Sequence, residues 1–210
     1  MHTNNLLTVT IIGLLAVMSP GPDFLIVTRN SLLCSKKTGL YTALGITVGT
    51  MWWVLASLAG ISLMIAKTVL LFNALKSVGA LYLIHLGIQS FRTGKSTSSD
   101  QADVPGVRKT MSASSAFWSG LKINLSNPKA ALFFVSFFSV ILTPETPMQW
   151  RCAYGFEISL IALSWFSLLA TVLSVNGIRE TFLRYAKWIE RATGAVLILL
   201  GVKLAFSRRN

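Results

Sequence analysis

The sequence predicts an all-α, polytopic membrane protein: six transmembrane helices arranged as two inverted three-helix repeats, with the first and fourth helices broken at proline. Three observations predict it. Of 210 residues, 53% are apolar and 12% charged, against about 45–50% and about 25% in soluble chains, too few charges to coat a water-soluble domain. Six apolar stretches follow one another, Leu6–Val27, Leu40–Ile65, Val69–Phe91, Phe117–Leu142, Ala153–Val175 and Ala192–Phe206, most of them near the roughly 20 residues that cross a bilayer core. Two of them carry a polar, proline-bearing knot: Ser19-Pro20-Gly21-Pro22-Asp23 in the first and Asn124-Leu125-Ser126-Asn127-Pro128-Lys129 in the fourth.

The first stretch is preceded by Met1 to Asn5, which hold no Lys or Arg; without the basic start of a signal peptide, it reads as a retained helix. Its knot removes backbone donors and strands carbonyls where lipid offers no partner, so the broken backbone belongs inside protein or beside water. Gly21 suits the turn, and Pro22 suits the first position of a resumed helix. The second stretch contains Gly45-Ile46-Thr47-Val48-Gly49, a small-xxx-small motif whose first use is helix packing and whose second is a homodimer contact. In the third, the run free of Lys and Arg shortens to Ser77–Phe91, just after Lys76, and includes His85, either a proton shuttle or a hydrogen-bond partner of a neighbouring helix. The fourth resumes after its knot with Asn127 as N-cap and Pro128 at N1. In the fifth, Glu157 stands four residues from the expected start, about 6 Å deep, within reach of the interface. The sixth is again short and preceded by Lys187. Trp52, Trp53, Trp118, Trp150 and Trp188 fall near expected span ends, as an interfacial belt would.

A net charge of +12 would suit nucleic acid if it were clustered on one surface, but its distribution follows the membrane. Arg29–Gly39 holds three basic residues, Arg92–Ala116 four and Asn176–Arg191 four, while the alternate connections hold Lys67 and Arg151. The positive-inside rule places the rich loops in the cytoplasm and both termini outside; Lys203, Arg208 and Arg209 at the C-terminus run against it. Cys34 and Cys152 then lie on opposite faces, which argues against a disulfide.

The third stretch, Gly79-Ala80-Leu81-Tyr82-Leu83-Ile84-His85-Leu86-Gly87, matches the sixth, Gly194-Ala195-Val196-Leu197-Ile198-Leu199-Leu200-Gly201, with one gap. With the two knots this divides a single transporter domain, residues 1–210, into units 1–92 and 116–207 joined by the cytoplasmic loop 92–116. Three spans per unit turn the second upside down, the inverted repeat of secondary transporters.

Each knot aims a helix N-terminus, with about half a positive charge, into the bundle, and frees carbonyls beside Ser19, Asn124, Ser126 and Asn127. Donors for an anion next to acceptors for a cation suit a zwitterion such as an amino acid. The expected substrate contacts are therefore Ser19, Pro20, Gly21, Pro22, Asp23, Asn124, Ser126, Asn127, Pro128 and Lys129. Asp23 costs about 2.5–3.5 kcal/mol in mid-membrane. It reads either as a proton carrier or ammonium partner, or as a first-turn acid answering its own helix dipole; Lys129 either reaches the pocket or snorkels to the interface. No phosphate-binding glycine loop, CxxC, HExxH or GxSxG occurs, so no enzyme, metal or cofactor is expected. Uphill movement would draw on an ion gradient or the membrane potential. A passive channel and a non-transporting scaffold remain the alternatives on residues alone.

Taken together, Met18-Ser19-Pro20-Gly21-Pro22-Asp23-Phe24, Gly45-Ile46-Thr47-Val48-Gly49, Asn124-Leu125-Ser126-Asn127-Pro128-Lys129-Ala130 and Ala186-Lys187-Trp188-Ile189 resemble the LysE/RhtB family of bacterial amino-acid exporters along the whole chain, nearest its threonine-efflux branch. The resemblance implies an inner-membrane exporter of threonine, homoserine or related neutral amino acids in exchange for protons. The family carries an acid in the fifth span where this chain has Ile161. Glu157 lies one turn earlier on the same helical face, which makes it, with Asp23, a candidate for proton coupling.

Overall fold

A computed structural model of the chain describes residues 2–19, 21–67, 110–143 and 145–172, together with 77, 80–85, 87–89, 91, 188, 191–192, 194–195, 198–199, 201–202 and 205–206. All regular structure among them is helical: α1 His2–Met18, α2 Pro22–Leu33, α3 Lys36–Lys67, α4 Ala113–Leu125, α5 Pro128–Ile141 and α6 Met148–Val172. Two helices are long and apolar enough to cross a membrane, at Lys36–Gly60 and Met148–Val172; α1 and α2 make a third if their 60° bend lies within one span. Shorter apolar helical stretches occur at Ala80–Gln89 and Pro128–Ser139. Pro20, most of the expected third and sixth spans, the 92–109 part of the loop, and Lys76, Lys187, Lys203, Arg208 and Arg209 lie outside the described residues.

Both breaks fall where the proline knots predict them. At the first, α1 stops at Met18 and Pro22 opens α2, with an extended Gly21 as N-cap (φ −173°, ψ −172°). That conformation is open to any residue, so Gly21 is not needed for a left-handed turn. At the second, Asn127 caps α5, its side-chain oxygen accepting from the Lys129 amide at 3.0 Å, and Pro128 occupies the first turn where its missing N–H costs nothing. Ser112 starts α4 in the same way, accepting from the Ser115 amide at 3.1 Å.

Close approaches at glycine fix the helix directions. Gly45 abuts the backbone at Phe117 and Leu121, Gly120 that at Thr42 and Ile46, and Gly49 the Asn124 side chain, so α3 and α4 advance together and are parallel. Gly39 meets Ala170 and Gly155 meets Val54, which makes α6 antiparallel to α3. Thr10 bonds Glu157 and Gly13 packs on Ile158 and Ile161, so α1 runs parallel to α6. Gly87 and Gly201 pack reciprocally: the first faces the Gly194 carbonyl and Ile198, the second the Ala80 carbonyl and Ile84. The two matching sequence stretches therefore cross antiparallel at matching glycines. Because Gly45 and Gly49 both face α4, their motif serves packing within the chain.

Among the described residues the interior is two clusters rather than one. Val9 and Ile12 of α1, Val54 of α3, Phe133, Phe134, Phe137 and Phe138 of α5 and Tyr154 and Ile158 of α6 form the first. The second joins Phe24 and Val27 of α2, Ala43 and Ile46 of α3, and Ala162, Phe166 and Leu169 of α6. Ser19 and Gly21 lie at their boundary, since Val9 and Ile12 of α1 belong to the first, Phe24 and Val27 of α2 belong to the second, and Val17 at the end of α1 already packs against the second. Outside, Leu44, Val48, Met51, Trp52 and Leu55 of α3 and Phe156, Leu160 and Leu168 of α6 are exposed, an apolar outer surface suited to lipid.

Two sequence expectations change. Trp52 and Trp53 sit midway along α3, not at its end, because that helix runs from Lys36 to Lys67; Trp53 is half-buried and donates its indole N–H to the Asn124 carbonyl at 3.2 Å. Helix α6 starts at Met148, ahead of the expected Ala153, so Glu157 lies about 13 Å along it at 1.5 Å per residue rather than about 6 Å.

Candidate functional site

Four helix ends meet at the boundary between the clusters. The C-terminal ends of α1 and α4 bring Ala16, Val17, Ser19 and Asn124, and the N-terminal ends of α2 and α5 bring Gly21, Asp23, Asn127, Lys129 and Ala130. They line a cavity of about 60 Å³, where one water needs roughly 10–15 Å³, so a small solute fits. Thr50 of α3, Phe133 and Phe134 of α5 and Phe166 of α6 complete its wall.

Two hydrogen bonds tie the knots together across the cavity. The Asn124 side-chain amide donates to Asp23 Oδ2 at 2.9 Å, and Lys129 Nζ donates to Ser19 Oγ at 2.6 Å. Lys129 therefore reaches across to the first break rather than snorkelling outward. Its ammonium lies 3.7 Å from where a Cβ on Gly21 would stand, and Asn127 and Lys129 both lie near the Asp23 carboxyl. Among the described residues Asp23 Oδ1 and Asn124 Oδ1 are buried without a hydrogen-bond partner, and Asn124 Oδ1 packs against the α3 backbone at Gly49. The charges and dipoles divide accordingly. Helix N-termini and Lys129 favour an anionic group, whereas helix C-termini and Asp23 favour a cationic one.

Of the residues expected from sequence, Ser19, Gly21, Asp23, Asn124, Asn127 and Lys129 line this cavity. Pro22, Ser126 and Pro128 are exposed and outside its lining; the prolines act through the breaks they impose. Pro20 lies outside the described residues. Glu157 is placed elsewhere, half-buried between α6 and α1 with Thr10 as partner. His85 is exposed and lies beside the Tyr82 ring, 6.4 Å between centroids. Thr50, Phe133, Phe134 and Phe166 were not expected. For Thr50 the signal was available, because Thr42, Ile46, Gly49, Thr50, Trp53 and Ser57 share the helical period and form one face of α3.

A second polar junction stands on the α2 side of the cavity. The Asn30 side-chain amide donates to Thr42 Oγ1 at 2.9 Å and to Ser119 Oγ at 3.2 Å, joining α2, α3 and α4 through a nearly fully buried side chain.

The sequence profile of the family described as LysE type translocator matches residues 14–208. The chain is 35% identical over 201 residues to a threonine efflux protein of Salmonella typhi, covering 96% of this chain and 97% of that one. It is also 35% identical over 202 residues to a threonine efflux protein of Escherichia coli K12, covering 96% and 98%. An uncharacterized membrane protein of Bacillus subtilis is 29% identical over 211 residues, covering 97% and 100%. No solved structure matches the chain.

Proposed function

The chain belongs to the LysE type translocator family, and from that premise we propose that it is a secondary active exporter of small neutral amino acids, with threonine and homoserine the first candidates. The observation that carries this reading is the meeting of the two helix breaks around one cavity, tied by Asn124–Asp23 and Lys129–Ser19 bonds. The relatives named for threonine efflux support the substrate, and a zwitterion fits the division of charge. Its carboxylate would lie by Lys129 and the start of α5, and its ammonium by Asp23 and the C-terminal ends of α1 and α4. Asp23 would couple export to protons by exchanging the substrate ammonium for a proton; Glu157, away from the cavity, would hold a second proton between α1 and α6.

The architecture supports alternating access as the mechanism. A single domain of two inverted units, 1–92 and 116–207, would rock about the cavity, opening it in turn to each side. Two observations support the inversion: the parallel and antiparallel directions of α1, α3, α4 and α6 alternate as successive crossings require, and the matching Gly87 and Gly201 stretches cross antiparallel. The membrane is then the bacterial inner membrane, with basic loops in the cytoplasm and both termini in the periplasm. The test is flux of individual amino acids in proteoliposomes with and without an imposed pH gradient. A neutral amino acid that moves uphill only with the gradient is the expected result; gradient-independent, non-saturating flux would identify a passive channel instead.

A further inference from the structure

Substrate ends are provided for by the two breaks, which leaves the third wall of the cavity to be explained. It belongs to α3, whose Thr50 lines the cavity and is 3% exposed. Helical hydroxyls in this protein commonly bond back to the carbonyl four residues earlier, as Ser31, Thr42, Thr47, Ser139 and Ser159 do. Among the described residues no such bond engages Thr50. Thr28, Ser57 and Ser136 also lack a hydroxyl partner, but none of them lines the cavity. Next to Thr50, Gly49 lets the Asn124 side chain approach the α3 backbone; a Cβ there would stand 2.5 Å from Asn124 Oδ1. Thr50 thus follows directly on the residue that packs against Asn124 and shares the cavity wall with Asn124 and Asp23. The remaining wall is apolar and close-packed, with Phe133, Phe134 and Phe166 at 7%, 5% and 3% exposure.

We propose that Thr50 selects the substrate's side chain: its hydroxyl pairs with a hydroxyl on a short side chain, while Phe133, Phe134 and Phe166 limit that side chain's length. This rests on the cavity being the amino-acid site. The ligand class is a neutral amino acid with a hydroxyl one or two carbons beyond its α-carbon, preferred over the alkyl analogue of the same shape. A hydroxyl left unpaired in a nearly dry wall penalises the analogue that cannot answer it, which is how polar sites reject apolar isosteres.

The experiment is competition by threonine, serine, valine and leucine against counterflow of labelled threonine, using the full chain in proteoliposomes. Thr50→Val should lower the preference for threonine over valine about five- to tenfold, the worth of a neutral hydrogen bond. Thr50→Ser should keep that preference, and Thr50→Ala should lose it as Thr50→Val does, so one poorly inserted variant does not decide the matter. Phe166→Leu should raise competition by leucine about tenfold, the scale on which an apolar pocket senses a methylene or two. An unchanged threonine-to-valine ratio in Thr50→Val and Thr50→Ala, with counterflow intact, would overturn the role of Thr50 and leave the exporter reading standing. Absence of counterflow with every amino acid in the unaltered chain would overturn both.

Discussion

At the scale of the residue, the site sets an acid and a base in one cavity, each with a hydrogen-bond partner of its own. Asp23 is held by Asn124 and Lys129 by Ser19, so each charge has a protein partner while a solute between them could still engage both. Asp23→Asn keeps the shape and removes the titrating group. It should abolish uphill export while leaving the protein inserted and its downhill counterflow measurable; gradient-driven export at the unaltered rate would remove Asp23 from coupling. Lys129→Met retains the stem and deletes the charge. Binding of the amino acid, followed as half-saturation of counterflow, should weaken about ten- to a hundredfold, the range of a charge-assisted hydrogen bond. Sequence made Asp23, Asn127 and Lys129 readable because a proline and an N-cap are local signals. Phe133, Phe134 and Phe166 were not readable, because a buried aromatic on a helix looks the same whether it faces a cavity or another side chain. Ser126 sits in the same knot but at the turn's outer side, exposed, a distinction that sequence does not carry.

At the scale of the element, the breaks are supported from α3. Gly49 admits the Asn124 side chain and Trp53 donates to the Asn124 carbonyl, so one helix secures both the amide that holds Asp23 and the end of α4. Gly49→Ala would press a methyl against Asn124 and displace its hold on Asp23; transport should fall at least tenfold, with thermal stability in detergent also reduced. Trp53→Phe removes the indole N–H and keeps most of the ring, costing about 1 kcal/mol for the lost bond; a thermal melt should show it as a drop of a few degrees. The existence and position of both breaks could be read from Pro22 and Pro128. Their supports could not, because α3 approaches α4 only through a fold that brings Gly45, Gly49 and Gly120 together. The small-xxx-small motif did announce a close helix contact, but not which helix would make it.

At the scale of the whole molecule, the cavity lies between two apolar clusters, and the breaks sit where the chain passes from one to the other. That placement suits alternating access, since either cluster can remain packed while the other opens. Helix directions and the antiparallel crossing at Gly87 and Gly201 agree with units related by inversion, a relation the sequence suggested through matched stretches and an odd number of spans. The same arrangement makes an orientation test simple. Cys152 is exposed and Cys34 is half-buried, at opposite ends of the bundle. A membrane-impermeant thiol reagent should label Cys152 in intact spheroplasts and Cys34 in inverted vesicles; labelling of both from one side would contradict the proposed topology.

The central claim is that the Ser19 and Lys129 knots form one substrate cradle, and site-directed thiol protection tests it most directly. With Cys34 and Cys152 changed to serine, Ser19→Cys and Ala130→Cys each place a thiol in the cavity wall, one at each break. A single neutral amino acid should protect both thiols from modification with the same half-saturating concentration. Protection of one without the other, or of neither by any amino acid that the protein transports, would contradict the account.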